Sequence, residues 1–188
     1  MEKARLFIAL DAEDFVVDSL IEATNKLRKV IPGVRWGNES TMHLTLKFFG
    51  TIPLLEVREI DKAVKKSIKG MESFSFGAEG VGGFPRLEKP RVLWAGIGKG
   101  KENIEYLAER LEKNLQEIYG AEIKKFVPHI TLGRIKRRIV LNKEQLHELK
   151  QFESKKFGVT TVDRVSLYSS DLTPKGPVYS KVDSWSLI

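Results

Sequence analysis

The spacing of apolar residues changes several times along this chain, and each change marks an element. Arg5–Leu10 is a short unbroken apolar run between charged residues and predicts a buried strand. From Ala12 to Val30 the apolar positions fall at Val16, Leu20, Ala23, Leu27 and Val30, the spacing of a helix face. Asp11 stands where an N-cap is expected, and Pro32–Gly33 supply the stop. Val34–Trp36 and His43–Phe49 read as strands separated by the polar turn Gly37–Thr41. Pro53 opens a second helix with Leu54, Val57, Ile60, Val64 and Ile68 on one face, closed by Gly70. Phe74 and Phe76 begin another strand, and Gly80, Gly82 and Gly83 predict a flexible loop after it. Val92–Ile97 reads as a strand, Glu102–Tyr119 as a third helix ending at Gly120, Pro128–Ile135 as a strand and Leu141–Phe152 as a short helix. Val159–Ser169 alternates as one strand, Asp171–Pro177 turns, and Val178–Leu187 returns as a hairpin.

Strands and helices are thus mixed, with several hairpin-like returns. That argues for an α+β fold built on antiparallel sheets, not a doubly wound parallel sheet. No linker or composition break divides residues 1–188, so one domain is expected. The 41% hydrophobic and 30% charged residues are a globular composition and exclude a disordered tail. The apolar run Leu6–Leu10 stops after five residues, too short for a signal peptide or a membrane span of about 20 residues. With no cysteine, disulfides and thiolate chemistry are excluded and a cytoplasmic location is the simplest expectation. The 32 Lys and Arg outnumber the 25 Asp and Glu, giving +7, a surplus that fits a polyanionic partner such as nucleic acid.

One internal repeat carries chemistry. Residues 43–46 are His-Leu-Thr-Leu and residues 129–132 are His-Ile-Thr-Leu. Alternation in a strand puts His43 and Thr45 on one face and Leu44 and Leu46 on the other; His129 and Thr131 separate from Ile130 and Leu132 in the same way. Each segment therefore offers an imidazole and a hydroxyl above an aliphatic anchor. An imidazole titrates near neutrality, so one ring can be neutral while its partner is protonated. Such a pair can activate water on one side of a phosphorus and protonate a leaving oxygen on the other. The hydroxyls can donate hydrogen bonds to the non-bridging oxygens. This chemistry calls for no metal and no cofactor. A zinc site is disfavoured because two His-x-Thr motifs give too few ligands, and nothing resembles a nucleophile elbow. The third histidine, His147, reads as a surface helix residue.

The paired HLTL and HITL motifs resemble those of the two-histidine phosphoesterase superfamily. More closely, the chain is similar to the RNA 2′,3′-cyclic phosphodiesterases, also called 2′-5′ RNA ligases. The likeness runs from RLFIALD through WGNESTMHLTLKFFG, RVLWAGI and VPHITLGRI to SLYSSDLTPKGPVYSKVDSWSL. This resemblance implies a bilobal, pseudo-two-fold α+β fold whose antiparallel sheets line a central cleft, with helices on the outer faces. It implies hydrolysis of an RNA 2′,3′-cyclic phosphate end to a 2′-phosphate, with reverse 2′-5′ ligation as a second direction. It assigns His43 as proton donor and His129 as proton acceptor, with Thr45 and Thr131 beside them. The implied partner is RNA with a cyclic phosphate end, tRNA-derived ends among them, handled by a monomer away from any membrane.

Arg134 matches a family position and could bind phosphate or sugar. Strict alternation puts it on the Ile130 face, unless a bulge at Gly133 re-aims it. Phe48 holds the equivalent place after the first motif. It shares parity with Leu44 and Leu46, so a core role competes with stacking on a base. Residues 96–101 (GIGKGK) fit a Gly-rich turn better than a phosphate loop. Arg86, Lys89 and Arg91, and then Lys136, Arg137 and Arg138, form basic clusters that either track RNA or are simply solvated. Two alternatives stay open: a non-catalytic module that grips RNA ends, and the same chemistry on a small cyclic phosphate or a 2′-5′ oligonucleotide.

Overall fold

A computed structural model describes residues 2–120, 125–136, 139–174 and 176–188. Along the chain run β1 (Lys3–Asp11), α1 (Asp14–Val30), β2 (Val34–Trp36), β3 (His43–Pro53), α2 (Val57–Ile68), β4 (Phe74–Phe84), β5 (Val92–Ile97), α3 (Lys101–Tyr119), β6 (His129–Ile135), α4 (Lys143–Lys150), β7 (Lys156–Val162), β8 (Arg164–Thr173) and β9 (Gly176–Ser186). Helix α1 buries Val16, Val17, Leu20, Ala23, Thr24 and Leu27 as one stripe. Asp14 in its first turn and Arg28 and Lys29 in its last complement its dipole. Its N-cap is Glu13 and not Asp11. The Glu13 carboxylate accepts the Thr161 N–H of β7 at 2.9 Å, so Asp11 is released to finish β1. Among the described residues, no helix is long and apolar enough to cross a membrane.

The strands form one curled antiparallel sheet in the order β7-β4-β5-β6-β3-β1-β8-β9, with β2 paired to β6. The order is a pseudo-two-fold. The half β7-β4-β5-β6 repeats, outward from the centre, the half β3-β1-β8-β9. The expected sheets are thus a single sheet, joined at β3–β6 through one paired position, Leu44 opposite Ile130. One face carries Leu6, Ile8, Leu10, Leu44, Leu46, Ile130 and Leu132. It packs into a shared core with Leu20 and Leu27 of α1, Ile60 and Val64 of α2 and Leu107 and Leu111 of α3. The other face carries the alternate residues.

Three sequence expectations need correction. The run 159–169 is not one strand. It breaks at Asp163 into β7 and β8, which belong to opposite halves of the sheet. The buried positions shift from Thr160 and Val162 before the break to Val165 and Leu167 after it. The glycines 80–83 are not a loop but the end of β4. Gly80, at φ +73°, makes a bulge between Glu79 and Val81, and Gly82 lies under Trp94. Pro53 closes β3 instead of opening a helix, and α2 begins at Val57 after a single 3₁₀ turn at Leu54–Glu56.

Candidate active site

The site lies on the seam between the two halves. Continuing the Leu44–Ile130 register by one residue each way sets His43 across from Thr131 and Thr45 across from His129. All four side chains are half-buried, while Leu44, Leu46, Ile130 and Leu132 on the opposite face are buried. Diagonal positions of an antiparallel pair stand roughly 7–8 Å apart, which makes His43 and His129 near neighbours across the seam. The same guanidinium, that of Arg134, acts electrostatically on both rings, which ties them to one locale.

Two bulges complete the arrangement. Opposite β5, Leu93 pairs with Gly133 but Trp94 pairs with Thr131, so Leu132 is the extra residue. The phase of β6 flips there, and its burial runs Leu132 and Gly133 buried, Arg134 exposed, Ile135 buried. Arg134 is thereby turned to the histidine face, as a bulge at this point requires. The first motif does the same. Opposite β1, Ala9 pairs with Thr45 and Ile8 with Lys47, so Leu46 is the extra residue and Phe48 lands across from Phe7. Phe48 is 46% exposed with the Arg5 guanidinium 4.4 Å over its ring, so it is no core residue.

The histidine surroundings differ. His43 stacks on Phe7 at 4.9 Å and lies 6.1 Å from the parallel ring of Tyr168, with Tyr179 edge-on at 5.3 Å. Burial holds its imidazole down at about 4, against an ordinary 6.5; Asp11 pulls it up and Arg134 pushes it down. His129 meets Phe84 edge-on at 5.1 Å and Trp94 at 6.3 Å. Its Nδ1 donates to the Val127 carbonyl at 2.7 Å, which leaves the Nε2 lone pair free in the neutral ring. Burial lowers its pKa, the Val127 bond raises it and Arg134 lowers it. A pocket of about 520 Å³ opens beside His43, lined by Asp11, Glu39, Met42, Tyr168 and Tyr179 among others.

The structure brings His43, Thr45, Phe48, His129, Thr131 and Arg134 to one face. Arg86, Lys89, Arg91 and Lys136 are exposed, Arg137 and Arg138 lie outside the described residues, and His147 is exposed on α4. Of the GIGKGK stretch, Gly96 and Ile97 end β5 and Lys101 begins α3; in the turn between them Gly100 at φ +75° passes so close to Ser75 that no side chain fits. Sequence reasoning missed Phe7, Asp11, Phe84, Trp94, Tyr168 and Tyr179. They meet the histidines only across strands, and the single local signal was alternation in β1, which sets Phe7 and Asp11 on the face opposite Leu6 and Leu10.

The profile of the family described as LigT like Phosphoesterase matches the chain twice, over residues 14–94 and 97–179, one His-x-Thr motif in each. The chain belongs to this phosphoesterase family. It is 38% identical over 93% of its length to the RNA 2′,3′-cyclic phosphodiesterase of Thermotoga maritima, covering 91% of that protein. The Methanothermobacter thermautotrophicus protein of the same name is 30% identical, over 98% of this chain and all of its own (100%). Among solved structures, TT0787 of Thermus thermophilus superposes with a TM-score of 0.81 at 31% identity, over 97% of each chain. Escherichia coli LigT complexed with 3′-AMP has the same fold, with a TM-score of 0.76 at 21% identity over 99% of each chain. As a LigT-like phosphoesterase, the chain is a phosphodiester hydrolase.

Proposed function

We propose that this protein hydrolyses RNA 2′,3′-cyclic phosphate ends to 2′-phosphates by acid–base catalysis between His43 and His129. The observation that carries this is the seam: two imidazoles and two hydroxyls, from strands far apart in sequence, share one face under one guanidinium. The names of the Thermotoga and Methanothermobacter relatives supply the substrate class. Nε2 of His129 takes a proton from water as its oxygen bonds to phosphorus. The bond from phosphorus to O3′ breaks, and His43 gives its proton to that oxygen. Arg134 and the hydroxyls of Thr45 and Thr131 hold the non-bridging oxygens, where charge gathers in the transition state. Phe48 offers a face on which a base can stack. The two halves work as one domain over residues 1–188, as a monomer, because each supplies one histidine. Reverse 2′-5′ joining uses the same groups with acid and base exchanged, and abundant water favours hydrolysis.

The test is an end-labelled RNA with a 2′,3′-cyclic phosphate, incubated with EDTA. The expected product is the 2′-phosphate, and His43→Ala and His129→Ala each lower the rate by about 10²–10⁴ while the fold persists. Full activity in the double variant overturns the proposal. Tight, salt-sensitive binding without product identifies an RNA-end binding module instead.

A further inference from the structure

The pseudo-two-fold makes the two imidazoles near-equivalents, and a symmetric site has no reason to use one as acid and the other as base. The strand register shows where the symmetry fails. Across from His43 stands Asp11 of β1; across from His129, at the corresponding place in β5, stands Gly96. One half therefore sets a carboxylate beside its histidine and the other sets none.

That carboxylate is held, not loose. Its Oδ1 accepts the Tyr168 hydroxyl at 2.5 Å, and its Oδ2 accepts the Ser166 hydroxyl at 3.2 Å and the Lys181 ammonium at 2.9 Å. Tyr168 and Ser166 come from β8 and Lys181 from β9, so two strands aim the group. Asp11 and His43 line the same pocket. We propose that Asp11 is the positioning residue that makes His43 the proton donor, its fixed charge stabilising an imidazolium on that side of the cleft alone. This rests on the catalytic reading above and deepens it.

The other groups facing His43 are accounted for. Tyr168 of β8 lies parallel to it and Tyr179 of β9 meets it edge-on, and Arg134 of β6 opposes its protonation. Lys181 of β9 partly neutralises Asp11. Asp14 and Asp18 of α1 and Glu39 line the same pocket. Burial is the largest influence on His43 and disfavours its charge; Asp11 is the carboxylate that works against it. At His129 burial again disfavours the charge most, and the acting groups are the Val127 carbonyl and Arg134. The Val127 bond poises Nε2 to take a proton, which complements a donor at His43.

The alternative is that Asp11 only ties β1 to β8 and β9. Asp11→Asn separates the two, since it removes the charge and keeps most of the shape. Lys181→Met is its counterpart and strengthens the field of Asp11. The readout is NMR titration of the imidazoles in the intact chain, with exposed His147 as internal control, beside kcat and KM on the cyclic-phosphate RNA. In Asp11→Asn, His43 titrates at lower pH, His129 and His147 hold, and kcat falls about tenfold for each unit of displacement while KM changes less. In Lys181→Met, His43 titrates at higher pH. A His43 titration that does not move in Asp11→Asn overturns the proposal, as does a displacement of the same sign in both variants. If His43→Ala keeps its activity, the catalytic reading falls and takes this one with it. If His43→Ala is dead and the titration stays put, only the role of Asp11 falls.

Discussion

Burial and charge around two side chains set the pH behaviour of this protein. Burial displaces His43 to about 4 and displaces His129 downward as well, so the neutral form of each ring is favoured at pH 7. For a bell-shaped profile the maximum lies midway between the two values. The pH dependence of kcat/KM is therefore expected to peak on the acid side of 6.5. The bound phosphate anion offsets Arg134 and favours the imidazolium, so the limbs of kcat are expected at higher pH than those of kcat/KM. Stability follows the same displacement. Between 6.5 and about 4 the unfolded chain binds more protons than the folded one, so stability rises with pH through that window. On acidification from 6.5 to 4 the His43 contribution, about 3 kcal/mol, is lost. Urea midpoints measured across this range should fall, and less so in His43→Gln. At this scale the motif residues were legible because a duplicated His-x-Thr is local. Asp11 was not: next to a helix start it looks like a cap, and its real partners lie more than 150 residues away on β8 and β9.

Bulges decide what the two central strands present. Helix and strand periods marked nearly every element, since side-chain spacing is a property of the local chain. A bulge depends instead on the partner strand, which is why alternation placed Phe48 and Arg134 on the wrong face. Gly133 is needed at its bulge for space. A Cβ there would stand 2.6 Å from Val34 Cγ1 and 3.1 Å from the Trp36 ring. Gly133→Ala is expected to push β2 away, destabilise the fold by about 1–3 kcal/mol and raise KM by disturbing Arg134; thermal melts and kinetics together check this. Gly82 serves the other wall. A Cβ there would reach within 2.2 Å of the Trp94 ring, so Gly82→Ala should drive that ring off its floor and alter fluorescence and activity together.

Between the halves, a single paired position joins the two central strands into one site, and the chain as a whole carries a net charge of +7. Binding to a single-stranded RNA should weaken with salt. Replacing one phosphate-contacting cation, as in Arg134→Gln, should reduce the slope of log affinity against log salt by about 0.7. An unchanged slope would remove Arg134 from the phosphate contact. The amino-acid sequence alone determined most of the elements, the α+β class and the family, and it singled out the four motif residues. All of these are written in local spacing and residue type. Only the tertiary structure decided that the two motifs meet edge to edge on one sheet, that two bulges turn Phe48 and Arg134 onto the histidine face, and that Asp11 stands beside one histidine and Gly96 beside the other. Those facts depend on strand register between segments far apart in the chain. Register is settled by packing across strands, which no local window of sequence contains.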